Sequence, residues 1–262
     1  MFTLRIVSAV VGAPLILLAA WLGGWLLLGL VAVLLCVALV ELMSLMKQPR
    51  PPRVLVLAGG AILLAGAYLS EGDYFPGSAV VLFLVLCLAS LVLFYPRFSP
   101  QACAATVFAT LYPGLLIYLY LIRLLPEGWM WALFTLATTW TFDSVAYLVG
   151  KWWGRHQMTP VLSPGKTVEG FCGGVAGSLL AAFVFHLFFA APAVWVWLVL
   201  GGMVAVAAQL GDLASSVIKR FADAKDAGNV IPGHGGVLDR FDSMLLTAPL
   251  VYHAVQLFGA GG

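Results

Sequence analysis

A chain of 262 residues that is 63% hydrophobic and only 9% charged has too little polar side chain to cover a water-facing surface, since soluble domains carry about a quarter charged residues. That composition, with a mean hydropathy of +1.05, excludes a soluble globular protein and makes this an integral membrane protein. A net charge of only +2 gives no reason to expect a nucleic-acid partner.

A membrane helix needs about 20 apolar residues. By that measure the chain divides into nine segments, at 5–22, 24–46, 54–70, 78–95, 102–125, 128–150, 167–190, 194–221 and 243–259. The expected fold is an all-α polytopic bundle of about nine transmembrane helices. The first segment follows MFTLR but is not followed by a clear small-residue cleavage site, and span succeeds span, so it reads as a retained helix. Turn chemistry marks the breaks: LGGW, KQPRPPR, EGDYFPG, YPRFSPQ, LLPEGW, KWWGRHQMTPVLSPGKT and AAPA. One domain is expected over 1–262, with N-terminal spans over 1–125 and catalytic spans and loops over 128–262. The cysteines Cys36, Cys87, Cys103 and Cys172 lie in or beside apolar runs without CxxC spacing, which reads as packing rather than disulfides or zinc ligation.

Basic residues stay on the cytoplasmic side of a membrane. With the N-terminus inside, one face collects Arg5, Lys47, Arg50, Arg53, Arg97, Lys151, Arg155, Lys166, Lys219, Arg220, Lys225 and Arg240. Only Arg123 falls near the other side, whose loops carry Glu71, Asp73 and Glu127. The expectation is a multi-pass protein of the cell inner membrane with its polar loops in the cytoplasm.

Three acids lie inside expected spans, where an ionised carboxylate costs about 2.5–3.5 kcal/mol on the lenient scale. Glu41, one turn from a helix end in VALVELMSLMK, is expected to snorkel to the interface or to cap a neighbouring helix. Asp143 in TTWTFDSVAYLVG lies about 10 Å below its helix end, with Thr139 and Tyr147 on the same face. In QLGDLASSVIKR, Asp212, Ser215 or Ser216, and Lys219 form a polar stripe two turns long. Asp212 and Lys219 are too far apart along it, at about 11 Å, for direct contact.

The stripe leads into KRFADAKDAGNVIPGHGGVLDRFDS, residues 219–243, where four basic residues, four aspartates, a histidine and four glycines crowd together. Carboxylates suit Mg²⁺, which commonly bridges one or two of them to substrate phosphates. Lysine and arginine suit phosphate oxygens, and the glycines of PGHGG let backbone approach a ligand. The combination points to phosphoryl or nucleotidyl transfer. SPGKT at 163–167 is not a phosphate-binding P-loop, because Pro160 stands where the first glycine is required and no strand is expected before it. Lys166 can still reach a phosphate at the start of the next helix.

These residues resemble the phosphatidate cytidylyltransferases, also called CDP-diacylglycerol synthases. The signature positions are Ser216, Lys219, Arg220, Lys225, Asp226, Gly228, Pro232, His234, Gly235, Gly236, Asp239, Arg240 and Asp242. WTFDSVAYLVGKWWGRH and LSPGKTVEGFCGG look like a second family region, departing from it only at Lys151 and Trp152. The resemblance covers essentially the whole chain. It implies transfer from CTP to phosphatidate with Mg²⁺ and a second, monovalent cation such as K⁺, and a homodimer. Asp212 and Asp239 would bind metal, with Asp143 and Asp242 assisting. Lys166, Lys219, Arg220, Lys225 and Arg240 would steady phosphates, and His234 would orient a phosphate or the ribose. Ser216 and Asp226 enter the site as signature positions. Two rival readings are a CTP-using polyprenol or phytol kinase and a transporter. The transporter would need interrupted inverted repeats, which the chain lacks.

Overall fold

A computed structural model describes residues 2–69, 77–189, 191–230 and 235–259, with side chains described between 10 and 258 within those ranges. Residues 71–76 of the EGDYFPG turn (Glu71 and Asp73 among them), Ala190 of AAPA, and residues 231–234 with Pro232 and His234 lie outside the described residues, as does the Arg5 side chain.

The chain runs through α1 (Phe2–Leu22), α2 (Gly24–Leu45), α3 (Arg53–Leu69), α4 (Gly77–Phe94), α5 (Pro100–Gly114), a 3₁₀ turn (Leu115–Ile117) and α6 (Tyr118–Leu124). It continues with α7 (Gly128–Trp153), β1 (Gln157–Thr159), β2 (Ser163–Thr167), α8 (Val168–Phe188), α9 (Val194–Phe221), α10 (Leu238–Phe241) and α11 (Met244–Gly259). The ends follow local chemistry. Ser99 caps α5 by accepting from Ala102 N–H, with Pro100 at the first helical position. Thr167 caps α8 by accepting from Gly170 N–H at 3.0 Å.

All nine expected segments are largely helical, and the protein is a multi-pass helical bundle. Among the described residues, five helical stretches are long and apolar enough to cross a membrane: Gly24–Leu45, Gly77–Phe94, Pro100–Leu124, Val168–Phe188 and Val194–Phe221. Val10–Leu22, Arg53–Leu69 and Met244–Phe258 are shorter apolar helices. α7 has 26 residues but carries Asp143 and Lys151 and is not among the five.

Three expectations are corrected. The segment 102–125 is not one regular helix, because Pro113 removes a backbone donor and crowds the preceding turn, and the chain tightens to 3₁₀ geometry just beyond it. The loop after α7 is not strand-free: Gln157 pairs with Thr167 and Thr159 with Ser163 in an antiparallel hairpin. A strand therefore does precede SPGKT, and SPGKT is itself β2 rather than a phosphate-cradling turn. Residues 238–241 form a short helix where only loop was expected.

α8 lies against α7 along a seam of small residues. A Cβ at Gly173 would meet Val149 at 2.6 Å, one at Gly174 would meet Phe142 at 2.7 Å, and one at Gly177 would meet Val145 at 2.9 Å. Close backbone approach of this kind is how helices associate where water exclusion offers no drive. α9 packs on α8, where Ser178 Oγ donates to Gly201 O at 2.8 Å, and α11 packs on α9, α7 and α6. α3, α4 and α5 pack on one another, with α2 against α3 and α5. The buried apolar core runs from Ala19 in α1 to Val255 in α11. Cys87 and Cys103 are buried in a smaller cluster with Phe83 and Phe98, as expected of packing residues, whereas Cys36 and Cys172 are exposed on the bundle surface and do not pack in the core. Exposed Leu82, Val85, Leu88 and Val92 leave α4 an apolar outer face suited to lipid.

Candidate active site

The polar groups meet where the C-terminal halves of α7 and α9 approach the hairpin and the 222–243 loop. Gly211 makes this possible. A Cβ there would collide with the Asp242 carbonyl and lie 3.0 Å from Ser243 Cα, so only glycine lets this backbone rest on α9. Asp212, the next residue, is thereby held beside Asp242. Ser243 Oγ donates to Asp143 at 3.2 Å, and Thr139 bonds Thr247 at 3.1 Å, tying α7 to the start of α11. Asp143 therefore makes the structural bond to a neighbouring element and also faces the cavity.

Two lysine–aspartate pairs organise the charges. Lys166 Nζ lies 2.7 Å from Asp212 Oδ2, an ion contact rather than an aligned hydrogen bond. It brings β2 against α9. Lys219 donates to Asp239 Oδ1 at 2.8 Å. Asp239 Oδ2 also accepts from the backbone N–H of Ala227 at 2.7 Å and of Gly236 at 2.9 Å. As expected from their separation, Asp212 and Lys219 pair with other partners rather than with each other.

Glu41 does not snorkel. It is buried, and its carboxylate accepts from Val237 N–H and Leu238 N–H at 2.9 Å each, capping α10. Of its two expected placements, the cap is the one found. The PGHGG glycines are also reread: Gly235 has the left-handed φ of 81°, but the close approach at Gly236 is made by Glu41, whose Oε2 would lie 2.5 Å from a Cβ there.

The cavity enclosed by these groups has a volume of about 510 Å³. Of the expected site residues, Asp143, Lys166, Asp212, Lys219, Asp226, Asp239, Arg240 and Asp242 line it. Ser216, Arg220 and Lys225 do not. Ser216 is half-buried on α9, Lys225 is exposed, and Arg220 points to the hairpin, donating to Leu162 O at 3.3 Å. The sequence reading missed Gln209, Thr167 and Ser243 as lining residues. Gln209 had a signal: it is a polar residue three before Asp212, on the same helix face.

Among the described residues no three His, Cys, Asp or Glu side chains form a ready cation cage. Mg²⁺ does not need one, because it keeps several waters and takes one or two carboxylates together with substrate phosphates. The donors at the cavity are hard carboxylate oxygens. Asp212, with 37% of its side chain exposed, can present them, so the donor set fits. Asp239 is the less open candidate, since both its oxygens already accept hydrogen bonds. Burial, and after it the neighbouring Asp212 carboxylate, pushes the Asp242 carboxyl well above the usual carboxylate range. A cation arriving here would offset that repulsion.

A cavity that sets lysines and an arginine among aspartates, at one end of a lipid-facing bundle, can gather phosphates from an amphiphile and a soluble nucleotide alike. The chain is similar to proteins whose names describe that kind of chemistry. The chain is 37% identical over 230 residues to the phosphatidate cytidylyltransferase of Bacillus subtilis, covering 85% of this chain and 86% of that one. It is 35% identical over 256 residues to that of Staphylococcus saprophyticus (94% and 96% covered) and 33% identical over 255 residues to that of Staphylococcus aureus (94% and 94%). The model of the cytidylyltransferase family matches residues 3–258, so nearly the whole chain, cavity and bundle together, belongs to that family.

Proposed function

We propose that this protein is a CTP:phosphatidate cytidylyltransferase, producing CDP-diacylglycerol and pyrophosphate for phospholipid synthesis. The observation that carries the reading is one cavity lined by Lys166, Lys219 and Arg240 together with Asp143, Asp212, Asp239 and Asp242, in a chain whose curated relatives bear that name.

In the transfer, a phosphatidate phosphate oxygen forms a bond to the α-phosphorus of CTP. The bond from that phosphorus to the β-phosphate oxygen breaks, and pyrophosphate leaves with the electron pair. A phosphate monoester is already largely ionised at neutral pH, so positioning and charge matter more than a base. Lys166, Lys219 and Arg240 hold the phosphates and offset the charge that builds between two anionic reactants. Mg²⁺ held by Asp212 and Asp239, with Asp143 and Asp242 assisting and a monovalent cation such as K⁺ beside it, would neutralise the triphosphate. Before substrate arrives, each lysine is balanced by an aspartate. Binding a nucleotide with its cation exchanges partners at the Lys166–Asp212 pair without leaving an unbalanced charge. His234 is proposed to orient a phosphate or the ribose. Arg220 and Lys225, off the cavity lining, act as the attracting rim, and Arg220 also braces the hairpin. Ser216 receives no role.

The proposed topology has nine crossings within one domain, with the N-terminus and the cavity on the cytoplasmic side of the inner membrane. It is supported by the positions of the helices and by the gathering of lysine and arginine at one end. CTP then arrives from the cytosol and phosphatidate sideways from the bilayer. A homodimer is proposed from the resemblance alone.

The test uses purified protein in detergent with phosphatidate, Mg²⁺ and labelled CTP. CDP-lipid and pyrophosphate are expected, and chelation of Mg²⁺ should abolish both. Release of CDP instead would identify a CTP-dependent kinase and overturn the reading.

A further inference from the structure

Glu41 is 4% exposed, one turn from the end of α2, and is not among the cavity-lining residues. No step of the proposed transfer uses it. Its surroundings are nonetheless specific. Three consecutive backbone donors of the loop are divided between two carboxylates: Gly236 N–H goes to Asp239, while Val237 N–H and Leu238 N–H go to Glu41. The two glycines nearest Glu41 are shaped to it, since a Cβ at Gly228 or Gly236 would come within 2.6 or 2.5 Å of its carboxylate oxygens. Neither has the left-handed φ that would by itself call for glycine.

We infer that Glu41 is a positioning residue: an internal anion, supplied by α2, that fills the backbone donor nest of the catalytic loop and fixes the register in which Asp239, Arg240 and Asp242 are presented to the cavity. The glycine-rich turn reads in sequence as a place for substrate phosphate, but its donors at 236–238 are already taken by carboxylates. These three donors therefore serve alignment rather than phosphate recognition. A nearly isosteric amide at 41 would set its NH₂ against one of the two backbone N–H groups, leaving that donor unpaired and shifting the loop. Small misplacements of reacting groups cost up to about a hundredfold in rate.

The experiment compares the full-length protein with Glu41→Gln, Glu41→Asp and Gly236→Ala, all in detergent. It reads amide hydrogen exchange by mass spectrometry and the steady-state constants for CTP and phosphatidate. The kinetic arm rests on the cytidylyltransferase reading, whereas the exchange arm does not. For Glu41→Gln and Gly236→Ala, exchange at 235–241 should rise about tenfold or more, with α7 and α9 unchanged. Their kcat should fall roughly ten- to a hundredfold, with KM for CTP within about threefold. Glu41→Asp, which keeps two acceptor oxygens, should recover part of the kcat. Wild-type kcat with wild-type loop exchange in Glu41→Gln would overturn the inference. So would exchange that quickens through the whole bundle, which would make Glu41 a general brace. If Glu41→Gln cannot be obtained folded, Gly236→Ala decides, because it leaves the carboxylate in place and only crowds it. If the wild-type protein makes no CDP-lipid, the functional reading fails and the exchange pattern alone judges Glu41.

Discussion

The two lysine–aspartate pairs are alike in chemistry and opposite in setting. In the Lys166–Asp212 pair the aspartate side chain is 37% exposed to the cavity and carries no second partner among the hydrogen bonds found. In the Lys219–Asp239 pair the aspartate is 5% exposed and also holds two backbone N–H groups of the loop. The two lysines are equally buried, at 17% and 15% exposed, so the difference lies in the aspartates, and the one that opens to the cavity and holds nothing else can exchange partners more readily. A buried pair woven into backbone is costly to break, because the surviving charge loses its compensation. The difference separates a pair suited to receiving ligands from one suited to holding the loop.

Four substitutions can break or sharpen that division. Asp239→Asn should have the largest effect. It leaves Lys219 without its countercharge and loosens the turn, so thermal unfolding in detergent should show a loss of about 3 kcal/mol, at the low end for a broken buried pair, together with nearly complete loss of CDP-lipid synthesis. Asp212→Asn should lower kcat by about 10²–10³-fold, the usual cost of removing one electrostatic stabiliser, while the unfolding temperature falls clearly less than in Asp239→Asn, because Asp212 holds no backbone of the loop. If Asp212→Asn destabilises as much as Asp239→Asn, the two pairs are equivalent and the division is wrong. Lys166→Met should raise KM for CTP by about tenfold, as expected for one lost charge-assisted contact, with a smaller change in kcat. Lys47→Ala removes the pair with Asp223, whose side chains are 67% and 84% exposed. No measurable change in activity or unfolding is expected there, which makes it the control for a generic lost ion pair.

Much of this was legible in the sequence because lipid imposes a simple rule. Apolar runs bounded by Gly and Pro give helix positions within a few residues, and charges within those runs single out Asp143 and Asp212, whereas Asp239 and Asp242 are picked out by the resemblance. What stayed hidden was pairing over distance. Nothing local to SPGKT announces a strand, because a strand depends on its partner at 157–159. Nothing in KRFADAKDAG says that Lys219 turns to Asp239 while Arg220 turns to Leu162 O. The charge-rich loop invites the assignment of every basic residue to substrate, whereas Arg220 and Lys225 lie off the cavity lining. The α7–α8 seam did have a signal, since Gly170, Gly173, Gly174 and Gly177 recur at helical spacing.

The reach of Glu41 also bears on how the protein is made. Its two donors, Val237 and Leu238, lie 196 and 197 residues further along the chain. At about 5–20 residues translated per second, α2 enters the bilayer on the order of 10–40 s before those donors exist. During that interval the carboxylate is one turn from its helix end, close enough to stay wet by bending outward. The 237–238 backbone that draws that carboxylate inward is made long after α2, so the site is completed only once that later segment is in place.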